Sequence, residues 1–245
     1  MKPTNQTAII TGASRGIGAV LAKRLAKDGF DVVVNYTASK AAAEAVVEDI
    51  VAIGAKAIAV QADITQSRDV ARLFDAAQQL GPLGAVVCNA GILELAPMSE
   101  FSDEAFTRLM AVNLTGAFYT LKEAARRLDK GGRIVALSTS INGSYFPSYG
   151  PYAASKAAVE AMCKVLCKEL AGREISVNVV APGPIATEFF MEGKSDELVA
   201  RIAGMNPYGR LGQPEDISDV VSYLLSPAAV WVNGQVLKVN GGMVI

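Results

Sequence analysis

Tyr152 and Lys156 stand four residues apart, a spacing that on a helix puts both side chains on one face with a rise of about 6 Å between them. A free phenol titrates near a pKa of about 10, so an adjacent ammonium would stabilise phenolate and bring its acid/base chemistry toward working pH. The pair reads as a proton donor or acceptor with its cation. Tyr145 and Tyr149 are rival phenols, but neither is followed four residues later by a lysine. Both lie in the Gly/Pro-rich stretch before the predicted helix, where lining a pocket is the expected role. The chain contains no histidine, which excludes Ser-His-Asp and Cys-His catalysis and histidine-ligated metal chemistry.

A substrate oxygen held by that phenol needs a second hydroxyl, and Ser138, Thr139 and Ser140 compete for the part at the end of the run RIVALS. In a strand, Ser138 and Ser140 share one face. A different chemistry is written near the N-terminus, where the apolar run TAIIT leads directly into Thr11-Gly12-Ala13-Ser14-Arg15-Gly16-Ile17-Gly18 and then a helical pattern. Glycines there permit a tight turn and close approach of a pyrophosphate to a helix N-terminus. A site for NAD commonly has an acid about 20 residues further on to accept the ribose hydroxyls, but here that neighbourhood reads Asn35-Tyr36-Thr37. Arg15, Ser39 and Lys40 could instead receive a 2′-phosphate, so NADP is the expected cofactor.

The elements that must position these groups follow from periodicity. Nearly continuous apolar runs (TAIIT from Thr7, DVVVN from Asp31, KAIAVQ from Lys56, AVVCN from Ala85, RIVALS from Arg133, SVNVV from Ser176) alternate with helical patterns such as Ala19 to Asp28 and Ser39 to Ile53, which stop at Gly29 and Gly54. Strands apolar on both faces, separated by helices, predict a doubly wound α/β fold: a parallel sheet covered on both sides. No linker or composition break divides residues 1–245, so one catalytic domain is expected, with a substrate loop over 182–213 around a helix near Ser195 to Met205. Basic and acidic residues number 23 and 24, with no cationic run to follow a nucleic acid or an anionic membrane. No stretch approaches the about 20 apolar residues of a membrane span, and the N-terminus lacks a signal-peptide core. Cys88, Cys163 and Cys167 are too few and too poorly spaced for a disulfide framework or a zinc ribbon. A cytoplasmic setting, core thiols and no metal are expected.

The spacing Gly12-xxx-Gly16-x-Gly18 resembles the TGxxxGxG motif of the short-chain dehydrogenase/reductase family. Further matches arrive in family order over almost the whole chain: Asp63, Asn89-Ala90-Gly91, Asn113, Ser140, Tyr152-xxx-Lys156, Pro182-Gly183 and Thr187. The resemblance implies a Rossmann-like domain and hydride transfer between NADP and a carbonyl/alcohol pair, with Asn113, Ser140, Tyr152 and Lys156 as the catalytic set. It places the glycine turn (Gly12, Ser14, Arg15, Gly16, Ile17, Gly18) with Asn35, Tyr36, Thr37 and Ser39 on the phosphates and ribose. Asp63 and Ile64 fall near adenine, Asn89-Ala90-Gly91 against a ribose, and Pro182, Gly183, Ile185 and Thr187 at the carboxamide. Asn113 would hold a proton-relay water near Lys156, which would also bond the nicotinamide ribose. Ser140 is favoured as the hydroxyl because Ser140-Ile141-Asn142-Gly143 matches the family pattern, although a fixed distance to Tyr152 would point to Thr139.

The general resemblance is to 3-oxoacyl-acyl-carrier-protein reductases and broad carbonyl reductases, and LGQPEDIS and VNGGM near the C-terminus fit both. It implies a small carbonyl or alcohol substrate and a homotetramer using the helix begun near Tyr152. An acyl-carrier protein could dock on Arg126, Arg127, Lys130 and Arg173. Leu93, Leu95, Tyr145, Phe146, Phe189, Phe190, Met191 and Met205 are candidates for an apolar pocket. The competing readings are a non-catalytic NADP-sensing regulator and an NAD-dependent alcohol or sugar dehydrogenase.

Overall fold

A computed structural model describes residues 6–245, so residues 1–5 of the expected domain lie outside the described residues. Its strands are β1 (Thr7–Ile10), β2 (Asp31–Tyr36), β3 (Ala57–Gln61), β4 (Leu83–Cys88), β5 (Arg133–Leu137), β6 (Ser176–Pro182) and β7 (Val236–Val239). They form one sheet in the order β3-β2-β1-β4-β5-β6-β7, with every neighbouring pair parallel. This is a Rossmann-like sheet. The helices are α1 (Gly16–Lys27), α2 (Lys40–Ala52), α3 (Ser67–Leu80), α4 (Asp103–Met110), α5 (Ala117–Arg127), α6 (Gly150–Glu169), α7 (Glu188–Met191), α8 (Asp196–Gly204) and α9 (Pro214–Leu225).

The unbroken apolar runs have a direct cause in the two-residue alternation of a strand. Ala8 and Ile10 of β1, Val32 and Val34 of β2, and Val135 and Leu137 of β5 enter the core under α1, α2 and α9. Ile9, Val33, Ile134 and Ala136 enter the opposite core under α3, α5 and α6. Both faces are dry, so neither alternate set can be polar. Gly29 and Gly54 lie just past α1 and α2 with φ of +100° and +86°, the left-handed geometry in which a helix end is closed most easily by glycine.

β7 was not anticipated from the sequence. Its run VLKV is short, partly buried and interrupted by the exposed Lys238, as befits a sheet edge. The loop expected over 182–213 carries α7 as well as α8, the latter matching the predicted helix. Among the described residues, no helix is long and apolar enough to cross a membrane.

The order reverses at β1, which lies between β2 and β4. At such a switch point the chain leaves the two strand ends in opposite directions and opens a crevice beyond their C-terminal ends.

Candidate active site

A cavity of about 730 Å³ opens at that crevice. The glycine turn after β1 forms one wall, and its construction explains its glycines. A Cβ on Gly18 would stand 2.5 Å from the Gly12 carbonyl oxygen and 2.6 Å from Asn89 Nδ2, so only glycine fits. Gly12 and Gly16 have φ of +64° and +56°, which other residues rarely adopt. The turn is tied to the end of β4: Asn89 Nδ2 donates to the carbonyls of Thr11 (2.8 Å) and Gly12 (3.0 Å), while Thr11 Oγ1 accepts from the N–H groups of Asn89 and Ala90. A backbone cradle with no side chain in it, at the N-terminus of α1, fits a pyrophosphate.

Gly12, Ser14, Arg15, Gly16, Ile17, Gly18, Tyr36, Thr37, Ser39, Asp63, Ile64, Asn89, Ala90, Gly91, Pro182, Gly183, Ile185 and Thr187 all line this cavity. Asn35 does not. It is buried, its Oδ1 accepts from the Gly12 N–H (3.1 Å) and its Nδ2 donates to the Ala62 carbonyl (3.0 Å), so it shapes the glycine turn from behind. Lys40 also turns away and pairs with Glu44 at 3.4 Å. Arg15 remains at the cavity, exposed and 3.6 Å from Glu188. No acid occurs in the lining from Tyr36 to Ser39.

Tyr152 and Lys156 also line the cavity, one turn apart on α6 as the spacing predicted, and both are buried. The lysine Nζ donates to the Leu137 carbonyl at 2.9 Å. Burial lowers its pKa from 10.5 to about 8, with Cys88 beside it partly opposing the shift. Tyr152 departs from expectation. Burial pushes its phenol up to about 12, a hydrogen bond with Thr139 pulls it partly back, and the nearby Tyr149 phenol adds to the rise. Burial dominates that shift, and the Lys156 ammonium is engaged with the end of β5.

The hydroxyl that bears on Tyr152 here is that of Thr139 rather than the expected Ser140. Thr139 caps the 3-10 turn Ser140–Gly143 and accepts from the Ile141 N–H at 3.3 Å. Ser140 starts that turn, buried in the cavity wall. Ser138 also lines the cavity, but its Oγ is taken up by Glu160, to which it donates at 2.5 Å. The strand ends at Leu137, so the face-sharing argument for Ser138 and Ser140 stops applying one residue too early.

Asn113 lies in a π-helical turn, Ala111–Gly116, and is not in the cavity lining. Its Oδ1 accepts from the Ile92 N–H (2.8 Å), and its Nδ2 donates to the Ile92 carbonyl (2.9 Å) and to Ser155 Oγ. Ser155 in turn donates to the Tyr152 carbonyl at 2.7 Å, so Asn113 braces α6 against the loop after β4. A Cβ on Gly91 would stand 3.3 Å from both Asn113 Oδ1 and Lys156 Nζ; the absence of a side chain keeps that approach open.

Of the expected pocket residues, Leu93, Phe146, Phe189 and Phe190 line the cavity, and so does Tyr149, whereas Leu95, Tyr145, Met191 and Met205 do not. Met243 and Val244 were missed. Gly241 and Gly242, with φ of +63° and +81°, turn the chain back, and Asn240 Nδ2 holds the Val244 carbonyl at 2.8 Å; the paired glycines were the available signal. The cations of the expected docking patch are all engaged within the chain. Arg126 and Arg127 pair with Glu123, Arg127 also with Asp75, Lys130 with Glu174, and Arg173 donates to the carbonyls of Ala125 and Leu128. These cations are engaged where β5 begins, at the end of the sheet opposite the cavity.

Residues 12–244 match the profile of a family described as enoyl-(acyl carrier protein) reductase. The chain is 44% identical to an uncharacterized oxidoreductase of Methylorubrum extorquens over 99% of both chains. It is 45% identical to an NADPH-dependent aldehyde reductase-like chloroplastic protein of Arabidopsis thaliana, covering 98% of this chain and 94% of the relative. A solved structure from Burkholderia cenocepacia, described as a dehydrogenase with bound NADP, superposes with a TM-score of 0.94 at 33% identity, covering 98% of this chain and 94% of that one.

Proposed function

The chain belongs to the short-chain dehydrogenase/reductase family, and from that premise we propose that it uses NADPH to reduce an apolar ketone or aldehyde to the alcohol. One observation carries the reading: a buried phenol, hydrogen-bonded to Thr139 and one helical turn from Lys156, lines the same cavity as an empty-backbone glycine cradle. The NADPH dependence named for the plant relative and the NADP in the bacterial neighbour support the cofactor. So does the acid-free stretch from Tyr36 to Ser39 beside Arg15, since a carboxylate there would repel a 2′-phosphate.

NADPH, when bound, supplies the hydride to the carbonyl carbon. Thr139 and Tyr152 hold the carbonyl oxygen, and the Tyr152 phenol, fully protonated at neutral pH, gives up its proton as that oxygen gains charge. Lys156 would hold the ribose of the bound cofactor and steady the phenolate that results. Asn113 is a positioning residue, and the water-relay role implied by the resemblance belongs to the same proposal. Leu93, Phe146, Phe189, Phe190, Met243 and Val244 favour apolar substrates over sugars. A cytoplasmic homotetramer completes the reading, with exposed Phe118 on α5 and Val165 on α6 as apolar surface available to subunits.

The first test follows NADPH and NADH absorbance against hydrophobic ketones, aldehydes, sugars and short 3-oxoacyl thioesters. Turnover with NADPH on the apolar carbonyls is expected, and binding without turnover across the panel would overturn the reading. Arg15→Ala should raise KM for NADPH roughly tenfold, the loss of a charged hydrogen bond, and leave KM for NADH in place; equal effects on both cofactors would remove Arg15 from the phosphate. Thr139→Ala should cost on the order of 10² in kcat as a donor to the developing oxyanion is lost. Ser140→Ala should cost far less, and the reverse order in the same assay would restore Ser140 to the role.

A further inference from the structure

Tyr149 is the residue immediately before α6, and no part of the mechanism above uses it. Its ring stands edge-on to Phe146 and to Tyr152, at 6.4 Å in each case and interplanar angles of 66° and 68°, an arrangement aromatic pairs favour. Its backbone is held as well: the Tyr149 carbonyl accepts from Ala153 N–H at 2.8 Å, and its N–H donates to the Phe146 carbonyl at 3.3 Å. The segment leading to it is strained, with Tyr145 and Ser148 at φ of +49° and +71°. Non-glycine residues keep such conformations where the surroundings over-determine them, ligand clamps among them. The ring is therefore fixed in the cavity wall.

What that fixed ring presents is a hydroxyl. Burial alone moves the Tyr149 phenol, upward, so it stays protonated and available as a donor. It has no hydrogen bond to the protein among the described residues. Phenylalanine would make the same ring contacts, and the neighbouring wall positions Phe146, Phe189 and Phe190 do use it. A polar atom in a mostly apolar cavity acts by fixing the orientation and identity of what binds there.

We propose that Tyr149 recognises the substrate, donating its phenol hydrogen to a second oxygen carried one or two carbons from the carbonyl that Tyr152 and Thr139 hold. The short distance is drawn from the 6.4 Å between the two ring centroids, which sets the side chains next to each other in the cavity wall, within the span of one small substrate. The substrate class is thus an apolar carbonyl compound with a neighbouring hydroxyl or carbonyl, not a plain ketone. This inference rests on the carbonyl-reductase reading above.

The test uses two matched ketone pairs, 2-hydroxyacetophenone against propiophenone and 3-hydroxypropiophenone against butyrophenone, each exchanging a methyl for a hydroxyl. Wild-type protein should favour the hydroxylated member of at least one pair, both in kcat/KM and in Kd measured calorimetrically on the NADP⁺-loaded protein. Tyr149→Phe should shrink that preference by roughly threefold to tenfold, the value of one hydrogen bond, with the change carried by KM rather than kcat. A wild-type protein indifferent to the hydroxyl in both pairs overturns the proposal. So does a variant that weakens both members of a pair equally, since Tyr149 would then only pack. If none of the four ketones is reduced, the reductase reading fails for this class, while the Kd comparison still decides the role of Tyr149.

Discussion

Tyr152→Phe should lower kcat by about 10³-fold while the protein still binds NADPH and keeps its fold. The substitution removes one oxygen from a buried ring whose edge-on contact with Tyr149 at 6.4 Å does not involve that oxygen. The glycine cradle, its tie to Asn89 and the Lys156–Leu137 bond are untouched. What is lost is the proton that the reduced oxygen needs. Thr139 can still donate a hydrogen bond, but a hydroxyl with no route to an ionised form is a poor acid. Single-turnover kinetics with NADPH, beside a fluorescence titration of cofactor binding, would separate the two effects, and near-normal turnover would remove Tyr152 from the chemistry.

Lys156→Met should reduce kcat by a comparable or slightly smaller factor, on the order of 10² to 10³, and should also change two pH dependences. Wild-type reduction should be flat through neutral pH and fall above pH about 8, where the lysine loses its proton; that limb should vanish in the variant. The stability of the cofactor-free protein carries the same signature. The folded-state pKa of Lys156 lies below its unfolded value, so at this group the unfolded chain holds more of the proton between pH about 8 and 10.5, and its contribution to stability rises with pH across that window. Below pH 8 the full burial penalty is present, about 3 kcal/mol at ~1.4 kcal/mol per pH unit. The buried Cys88 and Cys163 thiols, both raised above their usual range by burial, pull the other way above pH about 9, so the signature is read as a difference: denaturant melts at pH 7, 8 and 9 should show wild type gaining stability relative to Lys156→Met. Parallel curves would mean that the lysine is not the group titrating.

The architecture was legible because both faces of the sheet are dry, which forces apolar runs too long to mistake. β7 escaped because an edge strand with an exposed lysine in its middle breaks that rule. Tyr152, Lys156 and the glycine turn were legible through spacing, since a helix turn and a left-handed backbone both restrict which residues fit. Asn35 sat at the expected distance from the glycines, yet its side chain points back into the turn; sequence spacing places a residue on β2 but not its amide. The preference of Tyr152 for Thr139 over Ser140 was hidden for a similar reason. Where β5 gives way to a 3-10 turn, the direction of successive side chains follows cap geometry, and Thr139 is the cap. The bond from Lys156 to the Leu137 carbonyl was also out of reach, because sequence spacing does not say which acceptor an ammonium finds.

The two halves of the cavity are built differently. The glycine turn is laced to β4 by Asn89 and Thr11 and to β2 by Asn35, so a change in one of these residues disturbs the others. Leu93, Phe146 and the adjacent pair Phe189 and Phe190 of α7 sit on three separate segments, with Phe146 and Phe189 exposed, and no comparable lattice of side-chain bonds joins them among the described residues. Descendants of such a chain can therefore exchange one apolar wall residue at a time at little cost to folding, and so drift in what they reduce while inheriting an unaltered means of reducing it.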